Sequence, residues 1–283
     1  MFTTRMASNS DSSKNSRGRR FRTTARELIL RWRYRSHAGR LIRRHRALRS
    51  LDVQTSSFVH PLALTAGALA TIVVLRNTVT TVWAEIISFW CSSIGIDAVV
   101  RMRPVYIAST FYYLVPEMKI ASPLPSAQAL TISFVLVFAA MLVAYTVFRR
   151  FLPFAYLIWA IGLIQLTAIG SFYFSPTAFP YSIGSHVSSS LEVVLMLMVV
   201  IPLLLMIAYY PLNFSLLKKL ALTFSMMTMV GVFAPHLYAC HIVLLSAFSV
   251  LYMPVLFTVF GLLPIVLMVI AIYGWGMSWV QRY

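Results

Sequence analysis

Acidic residues are scarce in this sequence. Seven Asp and Glu stand against twenty-four Lys and Arg in 283 residues. Between Leu130 and Trp279 there is a single acid, Glu192. That scarcity excludes paired-carboxylate chemistry within the block, because such chemistry needs two acids facing one substrate. Cysteine is nearly absent too. Cys91 and Cys240 are the whole complement, which rules out a disulfide scaffold and any recognisable cysteine metal spacing. The P-loop, GxGxxG, HExxH and CxxCH patterns are all missing. No Ser, His and Asp set falls on plausible loops. The stretches 97–125 and 175–186 are too small for an independent catalytic domain. No short cleavable signal peptide is expected, since the first apolar run begins near Phe58.

What is abundant is apolar. Hydrophobic residues make up 59% of the chain, charged residues 11%, and the mean hydropathy is +0.80. Soluble domains carry about 25% charged residues. A chain of this length cannot hide so much apolar surface in its own core, whereas a bilayer can. Within the block only Arg149-Arg150 and Lys218-Lys219 act as basic stops. The net charge of +17 is also concentrated. Residues 1–52 hold fifteen Lys and Arg and three acids, Asp11, Glu27 and Asp52. Residues 1–22 read as a disordered basic tail. Residues 23–57 read as a basic amphipathic cytoplasmic segment, with Leu28, Ile29, Trp32, Leu41, Ile42 and Leu48 punctuating an Arg-rich run. Each basic residue near an anionic leaflet contributes about 1 kcal/mol. Anionic lipid headgroups are therefore the expected partner of this segment. A nucleic-acid arm and a mitochondrial presequence are the alternatives, and the adjacent span makes nucleic acid the poorer explanation.

From residue 58 to 283 the pattern predicts a polytopic membrane domain. The class is an all-α integral membrane protein with six to seven transmembrane helices. A basic amphipathic N-terminal segment precedes them, and a small extramembrane β-like element lies at 97–125. The spans are expected at 58–75, 127–148, 152–172 and 188–210. Three more would follow in 217–281, breaking at Pro235–His241 and Gly261–Pro264. Six is the count if one of the last hairpins is re-entrant. Residues 78–94 carry Thr81, Glu85, Ser88 and Ser92 as one polar stripe. They read as an interfacial helix with Trp83 and Trp90 at headgroup depth, or as a prolongation of the first span. In 97–125, Val100 and Met102 alternate with Arg101 and Arg103, and Phe111, Tyr112 and Tyr113 follow. That pattern predicts two short strands in a hairpin. The basic stops place the tail, 149–150 and 218–219 on the cytoplasmic side. With seven spans, Tyr283 ends on the opposite side. The expected home is the cytoplasmic (inner) membrane, with the mitochondrial inner membrane as the alternative.

Four residues are candidates for function. Glu192 is an ionisable group about one turn into its span, where an interfacial acid is the plainer reading. Gln165 is the one strongly polar residue inside the third span. His236 and His241 flank Cys240, with His236 and Cys240 at i, i+4. A metal would need further ligands, so a cluster that hydrogen-bonds backbone near Pro235 is preferred. No cofactor is called for. His186 reads as a solvated loop histidine. Cys91 and Cys240 fall near one face, where an oxidising compartment would allow them to pair. Thr223, Ser225, Thr228 and Gly231 read as close helix packing, and the methionines as adaptable packing.

Two resemblances carry expectations. The stretch from Lys218 through His236 and His241 to Ile272-Tyr273-Gly274-Trp275 resembles the membrane block of Yip-like polytopic proteins, where short helical hairpins follow a hydrophilic N-terminal region. Arg26-Glu27-Leu28 to Arg35-Ser36-His37-Ala38-Gly39 resembles the basic amphipathic lead-in of ABC-type polysaccharide-export permeases. The long excursion 76–127 departs from that family. Exosortase-like transpeptidases are not matched, because Ser188-Ser189-Ser190 stands where their cysteine is sought. Together these features point to a non-catalytic integral membrane subunit that scaffolds or stabilises a larger membrane complex. A permease or exporter subunit for an envelope glycan or lipid is the second reading, and a membrane-embedded enzyme the third. Other membrane-protein subunits and the lipid bilayer are the expected partners.

Overall fold

The computed structural model describes residues 56–106, 112–148, 151–176, 179–209 and 215–279. The basic tail 1–22, residues 23–55 of the amphipathic segment, Phe111 and Arg149-Arg150 lie outside the described residues. The elements are α1 (Ser56–Ile94), β1 (Val99–Tyr106), β2 (Tyr112–Lys119), α2 (Ala127–Thr146), α3 (Leu152–Phe174), α4 (Ile183–Tyr209), α5 (Leu216–Phe248) and α6 (Val250–Met277). Among the described residues, six helical stretches are long and apolar enough to cross a bilayer.

Unlike a soluble domain, the molecule is apolar on its outside as well as in its core. Leu136, Phe138, Phe224 and Ile270 are exposed, while Ser133, Gln165, His186, Thr223 and His241 are buried. At the centre stand α4 and α5. On α4, Ile183, Val187, Leu191 and Val194 are buried at spacings of three and four, one face of a 3.6-residue period. On α5, Leu222, Met226, Val230, Ala234, Tyr238, Ile242 and Leu245 do the same.

α1 is one helix of 39 residues. The interfacial helix expected at 78–94 is its second half, as the alternative reading had it. No Pro or Gly stands between Leu75 and Ile94 to stop it. The polar stripe Thr81, Glu85, Ser88 and Ser92 does face outward. Trp83 does not lie at a headgroup surface. It is 1% exposed and packs in the core with Ile87 and Cys91. α1 ends in a glycine cap. Gly95 has φ 76, the Ile96 amide donates to Cys91 O at 2.9 Å and the Gly95 amide to Ser92 O at 3.2 Å, the paired bonds of a Schellman end.

The hairpin expected within 97–125 is there, antiparallel, with Arg103 opposite Val115 and Val99 opposite Lys119. It does not stand free. Eight residues of β1 reach about 26 Å, and α1 from Arg76 to Ile94 covers about 27 Å, so the hairpin folds back along the helix. Arg76 Nε donates to Tyr112 O at 3.0 Å, and the Leu114 amide donates to Asn77 Oδ1 at 3.2 Å. On the α4 side, Ser188 Oγ donates to Pro116 O at 2.8 Å. The backbone approaches so closely at Gly184 that a Cβ would lie 1.8 Å from Met118 O.

Among the described residues, 217–279 form two candidate spans rather than three. α5 runs unbroken through Pro235–His241. Proline at 235 has no N–H to give to the Gly231 carbonyl one turn back. Trp83 Nε1 supplies that bond instead, at 2.7 Å, so the helix need not end. The break falls at Ser249, with φ 110, whose Oγ accepts from the Leu251 amide at 3.4 Å. α6 then proceeds through a 3-10 turn, Val250–Tyr252, a short α turn, Met253–Val255, a π segment, Leu256–Gly261, and a regular α segment, Leu262–Met277. Gly261–Pro264 is therefore a change of helical winding and not a loop. The chain returns to where α5 began, with Lys218 Nζ donating to Trp279 O at 2.9 Å. The expectation of an opposite-side end rested on that third span. Tyr283 itself lies outside the described residues.

Candidate functional site

The polar residues singled out in the sequence separate into four places. Glu192, on α4, meets the hairpin. Its Oε1 accepts from Arg103 Nη2 at 2.8 Å, with side-chain exposures of 28% and 47%. The plain interfacial acid is thus half of an ion pair that ties β1 to α4. Close by, Tyr113 is buried. Burial raises its hydroxyl pKa above the usual tyrosine value, the Glu192 carboxylate adds to the rise, and Arg103 opposes it.

Gln165, on α3, is buried and donates through Nε2 to Leu251 O at 3.3 Å, in the first turn of α6. Its Oε1 has no partner among the described residues. Beside it, Ser133 of α2 shares a hydrogen bond of 2.7 Å with Tyr252. These two contacts dock the α2–α3 pair onto the irregular start of α6.

The His236, Cys240 and His241 cluster is split. His236 points outward, its Nδ1 2.7 Å from Val232 O and its ring edge-on to Trp90 at 6.2 Å. It satisfies a carbonyl one turn back on its own helix, not the backbone freed by Pro235. Cys240 is exposed and Cys91 is buried, and both are free thiols. His241 points inward, 2% exposed.

Its partner is His186, which is not the solvated loop histidine expected from the sequence. Helix α4 begins at Ile183, three residues earlier, and carries His186 into the core, 4% exposed. His186 Nε2 lies 3.2 Å from His241 Nδ1, and the rings are near parallel at 5.5 Å. Phe257 of the π segment and Tyr238 close around them, with edge-on rings at 5.9 Å and 5.3 Å. Two deeply buried atoms here, Ser190 Oγ and His241 Nε2, have no hydrogen bond among the described residues. The Tyr238 hydroxyl and the Phe260 carbonyl stand next to them without meeting hydrogen-bond geometry. Pro264 has no N–H to offer the Phe260 carbonyl four residues back. In such a pair one ring must donate and the other accept. A proton on His241 Nε2 faces the Phe260 carbonyl and leaves Nδ1 to accept from His186. The arrangement is a hydrogen bond between His186 and His241 that ties α4 to α5, with Phe257 of α6 packed edge-on against it. No group of three or more His, Cys, Asp or Glu converges among the described residues.

The chain matches no family model, no curated protein and no solved structure.

Several important side chains gave only weak signals in sequence. His186 and Ser190 share a helix face at i, i+4, and Tyr238 and His241 share one at i, i+3. That recurrence of polar groups on two apolar helices was the available clue. Arg103, Asn77 and Trp83 carried none, because each acts across a long loop or between distant helices.

Proposed function

We propose that this chain is an integral membrane protein of the cytoplasmic membrane that serves as a non-catalytic subunit, scaffolding or stabilising a larger membrane complex. In this reading the six apolar helices span the bilayer, and the basic tail and Lys218-Lys219 lie on the cytoplasmic side. The return of Trp279 to Lys218 then brings the end of α6 to that same side.

The observation that carries the reading is the length and bareness of α1. Its apolar stretch Val59–Ile94 has 36 residues, and only 6% of its most apolar window is buried. Such a helix is about 54 Å long. The hydrocarbon layer is about 30 Å thick, and even a 40° tilt leaves about 41 Å of helix along the normal. At least two turns of apolar surface therefore stand beyond the acyl region. Near the end of α1, Phe89, Trp90 and Ile94 are exposed, and Tyr106 and Tyr112 of the hairpin are exposed beside its middle. Exposed apolar surface rimmed by polar residues is what partner proteins cover. Meanwhile Glu192, Gln165 and His241 are engaged in contacts between elements of this chain, as structural side chains are.

The test is affinity purification of the tagged full chain in mild detergent, followed by mass spectrometry. Stoichiometric co-purifying membrane proteins are expected. Their loss is expected when Phe89 and Trp90 are both changed to Ser. A chain that purifies alone from its native membrane overturns the subunit role.

A further inference from the structure

The hairpin has two edges, and only one of them is filled. Along β2 the backbone groups of the even-numbered residues turn away from β1, and the helices take them up. Arg76 donates to Tyr112 O, Asn77 accepts from the Leu114 amide, and Ser188 donates to Pro116 O. The ladder to β1 therefore runs through the odd-numbered residues, where Arg101 stands opposite Glu117 and Arg103 opposite Val115. Both prolines agree with this phase. Pro104 and Pro116 have no N–H to give to a ladder, and both stand at even positions. On β1 the same phase turns the backbone of Val100, Met102 and Pro104 outward. Val100 and Met102 each present an N–H and a C=O there, and Pro104 presents a C=O. None of these groups has a hydrogen-bond partner among the described residues. Between them stand Arg101 and Arg103, both exposed. Arg103 is held by Glu192 at 2.8 Å, and Arg101 forms no ion pair among the described residues.

We propose that the free edge of β1 binds an extended segment of a partner protein, which adds a third strand antiparallel to β1 and sets an acidic residue opposite Arg101. The proposal rests on the subunit reading above and names the surface and the chemistry of the partner. The backbone selects an extended chain. Outward groups recur at every second residue, about 6.8 Å apart, which is the repeat of another strand. A helix has spent its own N–H and C=O groups internally and cannot answer them, whereas an unpaired edge is a ready template for strand addition. Pro104 offers no donor, so the bonded stretch centres on Val100 and Met102. The charge selects the sequence. An added strand bonded at Val100 and Met102 meets Arg101 and Arg103 in its closely spaced, non-hydrogen-bonded pairs. A second copy of β1 is the wrong occupant. Every antiparallel register that pairs both Val100 and Met102 within Val99–Tyr106 sets arginine against arginine: Arg101 against Arg101, Arg101 against Arg103, or Arg103 against Arg103. Like charges directly opposite each other are destabilising, and opposite charges there are favourable. A strand with acidic residues at alternate positions answers both the backbone and Arg101.

The probes are two short labelled peptides, one alternating Val and Glu and the other alternating Val and Lys. They are offered to the recombinant full chain in mild detergent, freed of co-purifying protein. Binding is read by fluorescence anisotropy and by amide hydrogen exchange. Before any peptide is added, the Arg101 and Arg103 amides should exchange slowly and those of Val100 and Met102 fast. The Glu peptide should slow Val100 and Met102 about ten-fold or more. It should also bind about ten-fold tighter than the Lys peptide, the ratio that 1.4 kcal/mol produces. Arg101→Glu should reverse that order, and its gain of the Lys peptide shows that the variant is folded. A further test leaves the protein untouched. N-methylation of the peptide's Val amides, which face β1, should abolish binding, while N-methylation of its Glu amides, which face away, should not. Val100 and Met102 amides that are slow without peptide overturn the inference, because the edge is then already paired. Equal binding of the two peptides, or of the Val-methylated and unmodified Glu peptides, overturns it as well. A Glu peptide that fails to bind overturns the edge site even where stoichiometric membrane proteins co-purify from the native membrane, and the subunit reading then stands. Peptide binding at the edge of a chain that purifies alone from that membrane counts against the subunit reading only.

Discussion

Pro235 shows at the scale of a residue how this chain tolerates a helix breaker in an apolar setting. The proline leaves Gly231 O without its helical donor, and an unpaired carbonyl away from water costs about 1–3 kcal/mol. Trp83, 148 residues distant in sequence, donates to it at 2.7 Å. Trp83→Phe should therefore destabilise the chain by about that amount, read by chemical denaturation in detergent. In a Pro235→Ala background the amide at 235 returns to Gly231 O, so the same substitution should cost about 1 kcal/mol less. Equal cost in both backgrounds would mean that Trp83 acts only through packing. Tyr113 offers a second residue-scale outcome, in its pH dependence. Its hydroxyl pKa is raised above the ordinary tyrosine value of 10.0, first by burial and then by Glu192, with Arg103 opposing. A raised folded pKa means a neutral form favoured by the fold. Its stabilisation is therefore present below pH 10.0 and lost as pH climbs through the higher folded value. Tyr113→Phe should flatten the alkaline fall of the unfolding curve and remove one tyrosine that titrates above the ordinary value from the tyrosinate absorbance. Sequence reading found Glu192 as the one acid of the apolar block and could not find its partner. Arg103 lies 89 residues away, and an ion pair across such a gap has no local signature.

Among elements, the hairpin is the one whose place decides most. The alternation of Val100, Arg101, Met102 and Arg103 made the strands legible, because a period of two is a local property. That the hairpin lies along α1 and α4 was not legible, because docking depends on shapes contributed by three separate segments. Gly184 is the tight point, with a Cβ position 1.8 Å from Met118 O. Gly184→Ala must push β2 off α4. A loss of about 1–3 kcal/mol is expected from this overpacking, with faster amide exchange in both strands. Gly67→Ala faces open space and should be neutral or stabilising by up to about 1 kcal/mol. The Arg103–Glu192 pair is part-exposed, so its contribution is small, about 0–1 kcal/mol. Glu192→Gln should leave the unfolding midpoint nearly unchanged while loosening the hairpin in hydrogen exchange. The exchanged pair Arg103→Glu with Glu192→Arg should restore protection.

For the whole molecule the decisive matter is the number of crossings. Six candidate spans and the bond from Lys218 to Trp279 bring both ends of the last hairpin to one side. Tags placed before Ser56 and after Trp279 should therefore be accessible from the same face of sealed vesicles. A cysteine at Leu124, in a background where Cys91 and Cys240 are replaced, should react with an impermeant maleimide from the other face. Opposite accessibility of the two tags would restore a seventh crossing. The sequence by itself determined the apolar helical class, α2 and α3 to within about two residues, the start of α1, the end of α4 and the hairpin, since hydropathy and strand alternation are local; it ended α1 far too early, at Leu75, and began α4 too late, at Ser188. It misjudged the last third. There, Pro235 and the His236–His241 group read as a break, and only the packed helices show an indole completing the helix at Gly231. Tertiary structure alone decided which polar groups meet: His186 with His241 across 55 residues, and Gln165 with Leu251 across 86. A buried polar atom takes the nearest satisfactory partner in space, and in a bundle of long helices that partner is set by how the helices pack and not by spacing along the chain.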